Sequence, residues 1–374
     1  MKKNANIENR NDHKYSIVQV IDQLNIGGTE RVLITLNNLL QERGHKVSVV
    51  TTVTEGPLAS LLNQDIPVIN LKRKWKWNPV TMYRLIQIIK EFDIVHVHSS
   101  YNLRYLFLAA TFFNLKKPIF FHEHFGDINI NQSVNWHTKL IYPKTIFIAV
   151  SQQIADWAIQ KLGMPQKKVF VLANTVIKKE YPNQQSKNND TKHLLIVSNF
   201  RPTKNILVGI EIFENLLKKG LPLHLTITGQ VADSIYYEKV VKYIEDHQLQ
   251  NAITIRKSET DIQSILHTFD LALHTAASES GPLVLIEYMA QGLPFLTYET
   301  GEVVQQIKNE LPDFVMQTFD SDAWATRIMQ LLQEDRVKLE QMMRVAFKKH
   351  YSSDAYYEKC ILIYTKGLKI TNDI

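Results

Sequence analysis

Two glutamates eight residues apart, Glu279 and Glu287, bracket the segment of this sequence best suited to hold a polar ligand. Between them, Ser280 to Leu283 leads from a loop into a predicted helix, where free backbone N–H groups can cradle a phosphate. A carboxylate accepts two hydroxyl hydrogen bonds at once, which matches the paired hydroxyls of a ribose or a hexose edge. Two acids at this spacing also arise by chance, but the loop-to-helix context predicts one site for sugar, phosphates and ribose in a row.

Arg201 and Lys204 lie three residues apart, between a predicted strand and the helix that follows it. Arginine offers a planar fork of donors, lysine a mobile point charge, and the helix start its free N–H groups. Pro202 limits the freedom of the turn and helps to preorganise it. The arrangement favours binding of a diphosphate, with ordinary placement on the surface as the alternative.

Paired glycines, Gly27 and Gly28, precede an amphipathic helical pattern near the N-terminus. Glycines at a helix start let backbone N–H groups approach an anion, and the helix dipole adds to the attraction. A plain tight turn explains the same residues, so both interpretations stay open here.

Histidines alternate in two short segments, His96-Val97-His98 and His122-Glu123-His124. Histidines two apart can bind a metal, share one face of a strand, or donate a hydrogen bond to a substrate in a cleft. No carboxylate or thiolate stands at a supporting spacing, so we predict no metal site. The Asp-x-Asp spacing of Asp320 and Asp322 opens a helical pattern, and we interpret it as a helix cap.

Alternating strands and helices position these residues. Continuous apolar strands that alternate with helices indicate parallel sheets covered on both faces. The polar stretch Pro182 to Asp190 reads as a linker between two such arrays, which predicts two Rossmann-like domains facing each other across a cleft. The predicted strands are Ser16–Ile21, Lys46–Thr52, Val68–Leu71, Ile94–His98, Pro118–Phe121 and Ile146–Val150, then His193–Val197, Leu223–Thr228, Ile253–Arg256, Leu271–His274 and Phe295–Tyr298. Predicted helices include Glu30–Arg43, Val80–Phe92, Asn205–Lys219, Ile235–His247, Leu283–Ala290 and Ala355–Lys366.

Length and composition agree with a two-domain globular protein. The chain has 374 residues, 45% hydrophobic and 21% charged, and a single cysteine, Cys360, so a disulfide framework is excluded. The polar start of the sequence lacks the apolar core of a signal peptide, and no stretch reaches the roughly 18 apolar residues of a spanning helix. We therefore expect a cytoplasmic protein.

The net charge of +6 is unevenly distributed. Residues 1–180 hold 23 Lys/Arg and 13 Asp/Glu, a net +10, and the remainder holds 20 and 24, a net −4. The segment Lys72 to Trp77 concentrates four cations and two indoles, which suits an anionic membrane surface. A loop whose indoles pack inward is the alternative. Nucleic acid would fit the charge, but no motif supports it, and we expect none as a partner.

The segment from Glu279 to Pro294 resembles the family 4 glycosyltransferases of bacterial type, which carry a Glu-x7-Glu motif on the GT-B fold. The resemblance extends to the Gly27-Gly28 loop with Glu30, to Arg43-Gly44-His45 and to Ala149-Val150-Ser151. It implies an acceptor-side domain over residues 14–182 with a C-terminal helix, 353–374, that crosses back to it. A nucleotide-sugar domain is implied over 191–352.

The resemblance also implies a role for each site residue. Glu279 would contact the donor hexose and Glu287 the ribose, while Gly281, Pro282 and Leu283 line the phosphates through backbone groups. Lys204 and Arg201 would neutralise the diphosphate, His124 would hydrogen-bond the sugar, and Gly28 would pass close to donor or acceptor. Two departures stand out: Ser198-Asn199 replaces a usual Gly-Arg pair, and Ser280 rather than glycine follows Glu279.

The implied activity is transfer of a hexose-type sugar, with retention of anomeric configuration, from a nucleotide diphosphate sugar. The expected donor is a UDP-sugar. The acceptor hydroxyl would enter beside the departing diphosphate, whose charge is stabilised by Arg201, Lys204 and helix N-termini without a metal or other cofactor. The acceptor would be a glycan, a lipid-linked sugar or an anionic polymer used in cell-surface synthesis. A UDP-sugar epimerase of the same fold and a non-catalytic partner subunit are the alternatives. A nicotinamide dehydrogenase is disfavoured because Gly27-Gly28 lacks the further spaced glycines of that fingerprint.

Overall fold

The computed structural model describes residues 13–125, 132–134, 136–181, 190–256, 259 and 261–372. They form two domains, each built on one parallel sheet with helices around it. The strands of the first domain are β1 Ser16–Ile21, β2 Lys46–Thr51, β3 Val68–Asn70, β4 Ile94–His98, β5 Ile119–Glu123, β6 Ile146–Ala149 and β7 Val169–Val171. Its helices are α1 Gly28–Glu42, α2 Pro79–Lys90, α3 Ser100–Phe112, α4 Trp136–Ile141 and α5 Gln152–Leu162.

The second domain repeats the pattern after residue 190. Its strands are β8 Lys192–Val197, β9 Leu223–Thr228, β10 Ile253–Arg256, β11 Leu271–His274, β12 Phe295–Tyr298 and β13 Val315–Met316. The helices that follow are α6 Ile206–Lys218, α7 Ser234–Asp246, α8 Leu283–Gln291, α9 Gly301–Ile307, α10 Ser321–Gln333, α11 Arg336–His350 and α12 Ser353–Asn372. Short 3₁₀ helices occupy Pro57–Leu61, Tyr142–Lys144, Gln166–Lys168, Pro202–Lys204, Ile262–Thr268 and Pro312–Phe314.

The strand orders place a crevice in each sheet. The first sheet runs β3-β2-β1-β4-β5-β6-β7 and the second β10-β9-β8-β11-β12-β13. The direction of winding reverses between β1 and β4 in the first sheet, and between β8 and β11 in the second. Ligands of open parallel sheets bind outside the carboxyl ends of the strands at such reversals. The fold therefore directs attention to the loops after these four strands.

Apolar side chains cover both faces of the sheets, as the continuous hydrophobic strands predict. Separate clusters fill the two faces of the first sheet, and the second domain has one large core. Helix α12 belongs to the first domain, because Tyr356, Cys360, Ile363 and Tyr364 pack into the cluster beneath α1. The predicted return of the C-terminal helix is confirmed.

The predicted element order is confirmed, with corrections at the ends. The strand predicted over Pro118–Phe121 runs on to Glu123, because His122 and Glu123 are polar but fully or almost fully buried. The short edge strands β7 and β13 were absent from the prediction, whereas the equally short edge strand β3 was located. The linker predicted over Pro182 to Asp190 lies almost entirely outside the described residues. The domain boundaries stay a prediction.

Asp320 caps α10 as predicted. Its side chain accepts a hydrogen bond from the backbone N–H of Ala323 at 2.7 Å, which satisfies one of the free donors of the first turn. No helix in the described ranges is both long and apolar enough to cross a bilayer.

Candidate active site

A polar cavity of about 380 Å³ opens between the two domains, at the carboxyl ends of β1, β5, β8 and β11. Helix starts and strand ends from both domains contribute to its wall. The cavity brings together all nine residues predicted for the site: Gly28, His124, Arg201, Lys204, Glu279, Gly281, Pro282, Leu283 and Glu287. Their individual roles remain predictions.

Glu279 is held by its own domain. Lys204 donates a hydrogen bond to Glu279 Oε1, and both side chains are almost buried, at 12% and 11% exposure. The backbone N–H of Glu279 donates to Thr300 Oγ1 at 3.2 Å. Burial raises the pKa of Glu279, but the charges of Lys204, His274 and Arg201 outweigh it, and the pKa lies below its usual value. Glu279 is therefore an ionised, hydrogen-bond-accepting carboxylate at neutral pH.

Glu287 is bound from across the cavity. It lies in α8, and its closest cation is Arg31 of α1, with Nη1 3.9 Å from Oε1. Burial raises the pKa of Glu287 to about 7, and the charge of Arg31 opposes that shift. Near neutral pH this carboxyl therefore exists in both protonation states.

Two helices present uncapped first turns to the cavity. Helix α1 begins after Gly27 and α8 after Pro282, and neither of these residues makes a side-chain cap hydrogen bond. The first N–H groups of a helix have no backbone partner within the helix. In α1 the carboxyl of Glu30, whose pKa is raised to about 7 by burial, accepts a hydrogen bond from its own backbone N–H, and the other donors of the first turn can serve an anion. The plain-turn interpretation of Gly27-Gly28 accounts for the shape of the loop but not for its position on the cavity wall.

Arg201 contributes positive charge beside Lys204. The 3₁₀ helix Pro202–Lys204 follows it directly, so the turn holds both cations at the cavity wall. Arg201 Nε is buried and makes no hydrogen bond among the described residues. A buried guanidinium nitrogen without a partner suits a site that receives an anion.

Two glycines of the cavity wall differ in the space beside them. At Gly229, a Cβ would lie 1.9 Å from the carbonyl oxygen of Ser198, so the loops after β8 and β9 can pack together only around a hydrogen atom. At Gly28, a Cβ would meet nothing within 4 Å. The space beside Gly28 is thus open cavity rather than protein.

The alternating histidines lie on one face of the first sheet and reach the cavity at one end. His96, His98 and His122 have no exposed surface, while His124 is partly exposed and lines the cavity. Their rings follow one another along the sheet, and one nitrogen each of His96, His98 and His122 lies within 4.8 Å of the others. Gly126 and Asp127, which continue this loop, are outside the described residues.

Sequence reasoning missed the residues that join the domains. Besides Arg31, Asn174 Nδ2 donates to the carbonyl oxygen of Gly281 at 2.7 Å. At a second point Glu302 accepts a hydrogen bond from the backbone N–H of Gln152 at 3.0 Å. Arg31 directly follows the segment Gly27 to Glu30, so its place in the sequence pointed to the site. Asn174 and Glu302 offered none, since their partners are more than 100 residues away in sequence.

The segment Lys72 to Trp77 differs from the inward-packing alternative. Trp75 and Trp77 are 62% and 49% exposed, and the three lysines are exposed as well. Arg73 is the exception: it is buried, stacks on Tyr105 with its Cζ 4.2 Å from the ring centroid, and donates to Thr52.

Comparisons with known proteins agree with this architecture. The family profile "Glycosyltransferase Family 4" matches residues 26–178, and "Glycosyl transferases group 1" matches residues 177–350, so the two adjoin. The chain belongs to glycosyltransferase family 4. N-acetyl-alpha-D-glucosaminyl L-malate synthase of Bacillus anthracis is 22% identical over 341 residues, which cover 83% of this chain and 86% of that protein.

Solved structures establish that this transferase has the GT-B fold. A glycosyltransferase from Rickettsia africae superimposes with a TM-score of 0.78 at 22% identity, covering 95% of this chain and 99% of the other. HepE of Anabaena, crystallised with UDP and glucose, gives 0.75 at 18% identity and covers 94% and 99%. The expected two-domain GT-B architecture is confirmed.

Two glycine substitutions distinguish the packing of the protein from the access of the donor to its cavity. We expect Gly229→Ala to lower the melting temperature, because the methyl group would overlap the carbonyl of Ser198. Gly28→Ala should leave the melting temperature within about 2 °C, since its methyl group meets no atom, while lowering donor affinity by filling the cavity. Differential scanning fluorimetry with and without nucleotide sugar measures both. Equal decreases in melting temperature for the two variants would contradict the open space beside Gly28.

Proposed function

We propose that this chain transfers a hexose-type sugar from a UDP-sugar, with retention of anomeric configuration, to a hydroxyl of a glycan, lipid-linked or polymer acceptor. The observation that carries the proposal is the composition of one cavity wall: Glu279 and Glu287, the cations Arg31, Arg201 and Lys204, and two helix starts line about 380 Å³. A nucleotide sugar presents the complementary sequence of hydroxyls, diphosphate and ribose hydroxyls. The presence of UDP and glucose in the HepE crystals supports the choice of donor.

The donor would exchange with ion pairs already present. Its diphosphate would take Lys204 from Glu279 and gain Arg201, whose Nε makes no hydrogen bond among the described residues. Glu279 would then accept hydrogen bonds from the sugar, and Glu287 from the ribose. Gly281, Pro282 and Leu283 would supply backbone N–H groups to the phosphates, as the first turn of α8 allows.

Retention follows from attack on the side of the leaving group. The bond between the anomeric carbon and the diphosphate oxygen breaks as the bond to the acceptor oxygen forms, and the acceptor proton passes to the departing diphosphate oxygen. Arg201, Lys204 and the helix starts would stabilise the negative charge that develops there. Since these groups can stabilise the departing diphosphate, we propose that transfer needs no metal and proceeds in the presence of a chelator.

The acceptor would approach from the first domain, whose charge of +10 over residues 1–180 suits an anionic partner. The exposed indoles of Trp75 and Trp77, among three exposed lysines, suit a membrane that contains anionic lipid. We therefore propose peripheral contact with such a membrane during cell-surface glycan synthesis.

Substitution of Glu279 tests the site. We expect Glu279→Ala to lower kcat by about 100-fold or more, because a group that contacts the transition state is lost. UDP binding should be unchanged or tighter, since Lys204 loses its carboxylate partner. Glu214→Ala serves as the control, because Glu214 is also a nearly buried, ion-paired glutamate of the second domain, at 15% exposure. Wild-type turnover by a folded Glu279→Ala protein would refute the proposal, and NMR of the product's anomeric proton tests retention.

The pH dependence of donor binding tests Glu287. Only the ionised carboxylate accepts hydrogen bonds from both ribose hydroxyls, and burial raises the pKa of Glu287 to about 7. Affinity for UDP-glucose should therefore rise up to about tenfold between pH 6 and pH 8, and the slope should vanish in Glu287→Gln. Titration calorimetry measures both proteins. A slope that survives in Glu287→Gln would assign the effect to another group.

Membrane contact is tested with vesicles. We expect binding to phosphatidylglycerol vesicles without magnesium, weaker at high salt and absent with phosphatidylcholine alone. A Trp75→Ala/Trp77→Ala double variant should lose binding, whereas Val231→Ala, an exposed apolar residue of the second domain, should not. Failure to co-sediment with anionic vesicles at low salt would rule out the membrane proposal.

A further inference from the structure

A row of polar side chains runs beneath the helices on one face of the first sheet. The register pairs Gln19 with His96 and His98 with His122, and alternate residues of a strand point to the same face. All four side chains are fully buried. His124, two residues beyond His122, ends the row at the cavity. Polar groups are seldom buried in a sheet unless hydrogen bonds satisfy them.

Three of these side chains form a hydrogen-bonded chain that ends at the cavity. His98 Nε2 lies 2.7 Å from Gln19 Oε1, and His98 Nδ1 lies 3.1 Å from His124 Nε2. The contact with Gln19 is buried, and the contact with His124 is partly buried at the edge of the cavity. The ring of His98 is thus held at both of its nitrogens, once by an amide and once by the histidine of the cavity wall.

Hydrogen-bond chemistry fixes the proton positions along this chain. An amide oxygen only accepts, so Nε2 of His98 carries the proton and donates to Gln19. Burial lowers the pKa of His98 well below its usual value and that of His124 to about 3, so both rings are neutral. Neutral His98 then offers Nδ1 as an acceptor, and His124 must donate to it from Nε2. The second nitrogen of His124, Nδ1, is left with a lone pair.

We propose that Gln19 and His98 act as positioning residues that hold His124 in a single tautomer, with Nε2 protonated and Nδ1 a hydrogen-bond acceptor at the cavity. His124 in this state accepts a hydrogen bond from a sugar hydroxyl, whereas a phosphate oxygen, itself an acceptor, gains nothing from Nδ1. The proposal rests on the proposed function for its ligand, but the tautomer itself is a property of the protein alone.

Two features of the same histidines argue against a metal site. Ring nitrogens of His96, His98 and His122 lie within 4.8 Å of one another. However, the rings of His96 and His98 are parallel to within 7° with centroids 4.6 Å apart, so lone pairs in the two ring planes do not converge. His98 also has both nitrogens in hydrogen bonds, and zinc would need one of them at about 2.1 Å.

The tautomer can be read directly from ring ¹⁵N chemical shifts of the full-length protein labelled at histidine. The His124 signals are identified by their loss in His124→Phe. We expect an Nδ1 shift typical of an unprotonated nitrogen and an Nε2 shift typical of a protonated one. Gln19→Met, which keeps the length of the side chain but removes the acceptor, should make the His124 signals those of a tautomer mixture.

Kinetics supply a second readout that loss of packing would not reproduce. Gln19→Met should lower kcat by about tenfold, in the range seen when supporting hydrogen bonds of a functional histidine are removed, with KM for the donor changed less than threefold. Tyr15→Phe is the matched control: it removes a partly buried hydrogen bond of the same strand region, between Tyr15 and Thr365, without contacting His98. We expect it to lower the melting temperature by a similar amount and to leave kcat within twofold.

Three results would overturn the tautomer assignment. A protonated Nδ1 on His124 in the wild-type protein would overturn the proposal, as would unchanged His124 shifts in Gln19→Met. Stoichiometric zinc binding that disappears in His122→Phe would also overturn it, in favour of a metal site. Because the shifts need no substrate, a protein that shows the tautomer but transfers no sugar would reject the proposed function and leave this inference intact.

Discussion

A carboxylate buried in a protein requires a compensating charge, and the two carboxylates of this cavity obtain theirs in different ways. Glu279 is paired with Lys204, which belongs to the same domain. Glu287 depends on Arg31, which belongs to the other domain and stands 3.9 Å away. The difference appears in their protonation: the pKa of Glu279 is low, and that of Glu287 is raised to about 7. The cavity wall is thus held by ion pairs that a charged ligand with hydroxyl groups can replace.

Sequence pattern predicted most of the fold because the fold depends on local features. Apolar strands of four to six residues and capped helices, such as that begun by Asp320, are visible in any short window. Ten of the eleven located strands have four to six residues, and the eleventh, β3, has three. The edge strands β7 and β13, with three and two residues, were missed. The site residues were found for the same reason: each lies in a loop just after a strand or in the helix that follows that loop, at the place where a parallel sheet binds ligands.

The sequence pattern did not predict the contacts between the two domains. Asn174 and Arg31 act on groups in the second domain, and no spacing in the sequence links them to Gly281 or Glu287. The chain from Gln19 to His124 depends on the register of β1, β4 and β5, which sets which polar side chains meet. Alternating histidines suggested a metal, a strand face or a substrate contact, and only the ring orientations distinguish a row from a convergent set.

Helix α12 has a mechanical consequence. The chain passes from the first domain to the second near residue 180 and returns between α11 and α12, so two covalent crossings connect the domains. Two fixed points define a line, and relative motion is then mainly rotation about that line, a hinge rather than a free swivel. Such a rotation would draw Arg31 away from Glu287 but leave Lys204 beside Glu279, because the latter two move together. Opening would therefore separate Arg31 from Glu287 and expose that end of the cavity to water, while the Lys204–Glu279 pair stays intact.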